Sequence, residues 1–148
     1  MKLLSVLILI FLTTGCASQQ YRENVARTQA ANNELRSQLN MAMTNGSTVN
    51  CPTKPSCDKA FSLAKVYVQQ NSEMKIQMSD DTLISTYTSG EYGYISLQAT
   101  KTLGTGDTAT IELGSSCKDA PDYMQSVCMH RLIPIHAGFK PFIESRLP

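Results

Sequence analysis

A chain of 148 residues with thirteen Lys and Arg against twelve Asp and Glu carries almost no net charge. That neutrality argues against nucleic acid or an anionic membrane face as the main partner, because both reward a basic excess. At 42% hydrophobic residues the chain holds enough apolar mass for one small core of roughly 100 residues plus an extension. The chain opens with one cation, Lys2, then an apolar run from Leu3 to Leu12 broken only by Ser5, then Thr13-Thr14-Gly15-Cys16. These are the n-region, h-region and small-residue cleavage site of a secretory signal peptide. As a helix the apolar run reaches about 15 Å, half of a roughly 30 Å hydrocarbon core, so it is expected to target the chain rather than to span a bilayer.

The cysteine directly after the small residues resembles the lipobox of bacterial lipoproteins. The resemblance implies residues 1–15 as a cleaved leader, a thioether-linked diacylglycerol on Cys16, and N-acylation of the new terminus. Palmitate-type chains in that number anchor far more firmly than the marginal binding of a single acyl chain. Thr13 stands where such proteins usually carry Leu, Val or Ile, with Leu12 one place earlier, and an ordinary cleaved signal peptide without lipid is the competing expectation. Ala17 follows the cysteine and no Asp does; in a two-membrane bacterium the family rule then implies the outer membrane, facing the periplasm. Cleavage removes Lys2 and leaves twelve cations against twelve anions.

After a short anchored start at 16–20, residues 21–44 are rich in Ala, Asn, Gln, Arg, Glu and Leu, without Gly or Pro. Read in heptads, Val25, Asn32 and Leu39 fall at one seam position and Tyr21, Thr28, Leu35 and Ala42 at the other. Two outcomes are expected of this helix: homo-oligomerisation through a short coiled coil with a register-fixing Asn32, or a single solvated helix. Either gives a spacer of about 36 Å. Thr44-Asn45-Gly46-Ser47 stops it. Asn45-Gly46-Ser47 also matches a glycosylation sequon, idle under a bacterial address. Residues 45–56, with Pro52 and Pro55, read as a linker.

Residues 57–148 read as an α+β globular domain: helix, four-stranded antiparallel meander, helix, packed as a two-layer sandwich. Ala60, Phe61, Leu63, Ala64, Tyr67 and Val68 recur at helical spacing from an N-cap at Ser56 to an exit at Asn71-Ser72. Met74, Ile76 and Met78 then alternate along a first strand, and Ser79-Asp80-Asp81 turns into a second over Thr82 to Thr88. Ser89-Gly90-Glu91 turns into a third over Tyr92 to Lys101, and Gly104-Thr105-Gly106-Asp107 closes a hairpin with a fourth carrying Ala109, Ile111 and Leu113. Tight turns between short strands imply a meander with one apolar face under the helices and a Thr, Ser, Gln and Tyr face outside. Ala120-Pro121-Asp122 starts a last helix through Met124, Val127, Cys128 and Leu132. Pro134 is expected to kink or stop it, leaving Phe139, Phe142 and Ile143 on a separate short turn.

Setting Cys16 aside, four cysteines remain: Cys51, Cys57, Cys117 and Cys128. An even count in an exported chain argues for two disulfides, with three possible pairings. The local pairs Cys51–Cys57 and Cys117–Cys128 are favoured, and their spacing does not suit zinc. A loop of about ten residues is worth about 2–3 kcal/mol by chain entropy.

No convergent catalytic group is found and no metal or other cofactor is expected. His130 and His136 are about 240° apart on a helix and face apart rather than chelate. Cys128 lies near His130, but a disulfide is its more economical fate than a catalytic thiolate. Gly104 and Gly106 read as a turn rather than a phosphate cradle, and Asp80-Asp81 as a solvated turn. Tyr87, Tyr92 and Tyr94 are the candidate binding residues: an exposed aromatic strip for recognition, or rings packed beneath the linker or spacer. The functional expectation is a non-enzymatic, membrane-anchored envelope lipoprotein whose sheet face binds another envelope protein, similar in outline to accessory lipoproteins of envelope assembly machineries. The alternative is a small-ligand or peptidoglycan-binding module on the same face.

Overall fold

The computed structural model describes residues 2–119, 121 and 126–147, with side chains from residue 18 onward. Helix α1 runs from Lys2 to Gly46. Strand β1 (Thr48–Cys51) and helix α2 (Lys54–Asn71) follow, then strands β2 (Ile76–Ser79), β3 (Leu83–Thr86), β4 (Ile95–Leu103) and β5 (Ala109–Cys117), and finally helix α3 (Val127–Glu144). The sheet is antiparallel throughout, in the order β1-β5-β4-β3-β2. The expected meander is therefore present as β2 to β5, and the architecture is α+β.

Among the described residues there are five strands rather than four. The stretch read as a linker contains β1, whose Val49 and Cys51 lie opposite Ile111 and Ala109 and are buried with them. Two apolar positions between Gly46 and Pro52 are too short a run for period-2 alternation to register; the strand exists because β5 offers it an edge. Helix α2 also begins earlier than its sequence signal. Its N-cap is Thr53, whose side chain accepts the backbone N–H of Ser56, while the Ser56 hydroxyl caps the Thr53 N–H in return. Ser56 is thus the third helical residue rather than the cap. Pro55 fits the first turn, where its missing N–H would have had no helical partner. Strand β4 starts at Ile95 rather than Tyr92, because Gly93 takes a left-handed φ of 80° that ends regular extension.

One face of the sheet is apolar. Ile84, Leu97, Ala99, Ile111 and Leu113 pack under Phe61, Ala64 and Val68 of α2 and Leu132, Phe139 and Ile143 of α3. Tyr67 meets Phe139 and Phe142 edge-on at centroid distances of 5.4 and 5.0 Å, and its hydroxyl donates to the Ile135 carbonyl at 2.7 Å. Pro134 does not stop α3, which continues through it and through Pro141 to Glu144. Both prolines lie on the exposed side, as do His130 and Ala137, whose carbonyls lose their helical donors. Water can satisfy those carbonyls, while the buried stripe of Cys128, Leu132, Phe139 and Ile143 packs across both breaks. The proposed helix start at Ala120 and Asp122, and Met124 with it, lies outside the described residues; α3 is capped at Ser126, whose hydroxyl accepts the Met129 N–H.

The heptad seam of α1 is present, and its C-terminal half is occupied by this chain itself. Helix α1 packs parallel along α3: the Asn32 side chain accepts the Ser126 N–H at 3.0 Å, and Gly46 lies against His136 and Ala137. Leu35 is buried, and Leu39 packs against the core. The turn cluster ends the helix as expected, with the Ser47 N–H returning to the Met43 carbonyl. From Cys16 to Asn32, which bonds Ser126, the helix covers about 24 Å.

Candidate functional site

The side chain of Cys16 lies outside the described residues; its backbone is within α1. The other four cysteines form the two local pairs, Cys51–Cys57 and Cys117–Cys128, with Cα separations of 5.2 and 5.8 Å. The first ties β1 to the start of α2. The second ties the end of β5 to the start of α3, beside the point where α1 leaves the domain.

Both helices cover the same side of the sheet, which leaves the other side open. The open face carries Thr48 and Asn50 from β1, Thr110, Glu112 and Ser116 from β5, and Ser96, Gln98 and Thr100 from β4, in register across the ladder. It is almost free of charge. Thr110 donates to the Asn50 side chain at 2.9 Å, and Gln98 lies over Gly114, where an added Cβ would meet it at 3.0 Å. A shallow hollow of about 130 Å³ lies between Ser85, Thr88, Ser96, Gln98 and Ser116.

The three tyrosines stand at the end of this face nearest the N-terminus of α3. Tyr87 follows β3, Tyr94 precedes β4 in step with Ser96 and Gln98, and Tyr92 lies in the loop between them. They are 51%, 45% and 59% exposed, respectively, so none is packed beneath α1 or the β1 segment. Tyr92 is stacked by its own chain: the Lys118 ammonium sits 4.5 Å from its ring centroid and donates to the Gly90 carbonyl at 3.0 Å. Arg131 holds the same loop from below. It donates to the Gly93 carbonyl at 2.8 Å and pairs with Glu73 at 2.7 Å, and Glu73 in turn accepts the Ile95 N–H. The Arg131 guanidinium, with help from that N–H, holds the Glu73 carboxyl below its ordinary range. The tyrosines are therefore displayed on a braced loop.

At the opposite end Asp58 bridges Lys54 at 2.9 Å and Lys101 at 3.0 Å, and Lys65 and Lys101 flank the Phe61 ring. Asp80 caps the β2–β3 turn: one carboxylate oxygen accepts the Thr82 and Leu83 N–H groups and the Thr82 hydroxyl. Asp80-Asp81 is a solvated turn, as the sequence suggests.

The two histidines do diverge. His130 is exposed, and His136 is 0% exposed. The His136 ring is hydrogen-bonded at both nitrogens, Nδ1 to the Ser47 hydroxyl at 2.6 Å and Nε2 to the Ser115 hydroxyl at 2.8 Å. Burial pushes its pKa down. Sequence reading passed over this cluster, because its members lie at the α1–β1 junction, on β5 and on α3, far apart in the chain. A Ser–His pair is the elementary unit of nucleophilic catalysis, but here Ser47 and the ring are closed within the core and Ser115 is half-buried beside them. Among the described residues, no group of three or more His, Cys, Asp or Glu side chains is arranged to hold a metal, and no helix is long and apolar enough to cross a membrane. The chain matches no protein-family model, no curated protein and no solved structure.

Proposed function

We propose that the protein is a lipid-anchored accessory lipoprotein of the bacterial envelope, held at Cys16 and binding another envelope protein through the open sheet face and its tyrosine end. The observation that carries this reading is the combination of an uncovered, nearly uncharged five-stranded face with three exposed tyrosines on a loop that the domain braces. Exposed aromatics on a rigid support are the usual anchors of protein interfaces, since they bury large area at small entropic cost. The hollow on the face, about 130 Å³, is below the roughly 300 Å³ at which small-molecule sites begin, which favours a protein partner over a small ligand or a peptidoglycan fragment. A second copy paired through α1 would have to use the half-seam nearer Cys16, around Tyr21, Val25 and Thr28, unless α1 leaves α3.

Two experiments test the reading separately. Intact mass of the membrane-extracted protein should show three acyl chains on a terminus beginning at Cys16; an unmodified thiol, or cleavage elsewhere, removes the anchor. In crosslinking pull-downs, Tyr92→Ala with Tyr94→Ala should abolish capture of the partner while leaving the fold intact. Leu103→Ala, at the far end and 73% exposed, should not. Equal capture by both variants would dispose of the tyrosine end, and recovery of a muropeptide in place of a protein would select the ligand-binding alternative.

A further inference from the structure

We propose that His136 is an acid-sensitive latch: protonation of its buried ring releases the C-terminal half of α1, with Ser47, from the rest of the domain while the sheet stays folded. Three elements meet at the ring. Helix α3 carries it, β5 supplies Ser115, and the α1–β1 junction supplies Ser47. Hydroxyls both donate and accept, so a neutral imidazole is satisfied in either tautomer. A protonated ring could keep both hydrogen bonds by hydroxyl rotation, but it would place a full charge in the core with no carboxylate to meet it.

Among the described residues, no element packed around the ring offers a counter-charge. Residues 37–46 of α1 and the junction residue Ser47 contain no titratable side chain, and β1 contributes only the disulfide-bonded Cys51. On β5 the one carboxylate, Glu112, lies across from Thr48 and Thr100 on the open face. From α2 the Tyr67 hydroxyl bonds the Ile135 carbonyl, and burial raises its pKa so that it remains neutral. On α3 itself Arg131 pairs with Glu73, Lys140 lies 3.9 Å from Glu144, and His130 is exposed. Desolvation is accordingly the cause of the lowered pKa of His136.

The walls of the cluster are unequal. Strand β5 is paired on both sides and bonded to α3 through Cys117–Cys128, so these two cannot separate cheaply. The α1–β1 junction has no such tie; the first disulfide secures the other end of β1. Withdrawal of α1 and Ser47 is therefore the smallest opening that brings water to the ring, and it uncovers Leu35, Leu39 and Ala42. The sign follows from linkage. The folded pKa lies below the free value of 6.5, so the latch is at full strength above about pH 6.5. As pH falls below that, the released state binds a proton that the docked state refuses, and docking weakens by up to about tenfold per pH unit until the folded pKa is reached.

Amide hydrogen exchange on the full chain in detergent micelles, from pH 8 to 5 and corrected for intrinsic rates, tests this. Protection of residues 35–47, and of Leu113, whose N–H donates to the Ser47 carbonyl, should fall by up to about tenfold per unit below pH 6.5, while β4 and the rest of β5 stay protected, and His136→Gln should flatten the profile. A flat wild-type profile, an unchanged profile in the variant, or loss at β4 and the rest of β5 in step with α1 would each overturn the latch. If His136→Gln does not fold, the NMR titration of the wild-type ring decides: a midpoint well below 6.5 supports the latch, and one at or above 6.5 refutes it.

Discussion

Replacing Gly46 by Ala sets two physical effects against each other. Helix propensity alone favours Ala by up to about 1 kcal/mol, and Gly46 has no positive φ that would forbid a side chain. Sterics point the other way. A Cβ built at position 46 would lie 2.3 Å from the His136 carbonyl oxygen, 2.9 Å from Ala137 Cα and 3.0 Å from the His136 carbonyl carbon. All three neighbours are backbone, so none can swing aside, and α1 must back away from α3 by about 1 Å to reach ordinary contact. A gap of that size forfeits a quarter to a half of the dispersion energy along the contact, and overpacking of this kind costs about 1–3 kcal/mol. It also stretches the 2.6 Å Ser47–His136 hydrogen bond, worth about 1 kcal/mol. The net expectation is a destabilisation of about 1–3 kcal/mol, or a Tm lower by about 3–10 °C. Thermal and urea melts followed by circular dichroism would measure it. Gly90→Ala is the control, since nothing lies within 4 Å of its Cβ position and its φ is not positive; it should stay within about 0.5 kcal/mol of wild type. A Gly46→Ala protein as stable as wild type, or more so, would refute the packing of α1 on α3.

Other consequences are more direct. Replacing both members of Cys117–Cys128 by Ser should cost about 2.8 kcal/mol, and of Cys51–Cys57 about 2.2 kcal/mol, from loops closed over separations of 11 and 6; melts with and without reductant would show the loss, and wild type insensitive to reductant would contradict it. Phe139→Ala removes a fully buried ring that packs on Tyr67 and should cost about 3–5 kcal/mol in urea unfolding. Asp80 should titrate below its ordinary 3.8, because backbone N–H groups of Thr82 and Leu83 favour the carboxylate. Its contribution to the turn is then present above about pH 3.8 and lost as pH falls through the lower folded value. A side-chain NMR midpoint at or above 3.8 would show that the cap is not formed.

Much of the fold is legible in the sequence because its signals are local. Alternation at Ile95, Leu97 and Ala99 and at Ala109, Ile111 and Leu113 marks β4 and β5, and the tight turns between strands imply a meander. Amphipathic spacing marks α2, and short separations favour the disulfide pairs that are found. Two errors have a common origin. The β1 strand and the passage of α3 through Pro134 both depend on a neighbour: β1 on the free edge of β5, and α3 on an apolar stripe that packs while its prolines face solvent. Neither dependence has a local signature.

The candidate site divides along the same line. Exposure of Tyr87, Tyr92 and Tyr94 was open between two readings, and only the placement of α1 on α3, away from the open face, decides it. The leader-like pattern before Cys16 and the even count of the four later cysteines are read from sequence alone, because targeting motifs and short separations are written along the chain. The heptad seam is equally visible there, but a seam specifies only that something apolar must cover it. That α3 of the same chain provides the cover, and that Ser47, Ser115 and His136 close into one buried cluster at its end, follows from contacts across 89 and 21 residues of sequence. Separations of that length are set by packing, and the tertiary structure alone decides them.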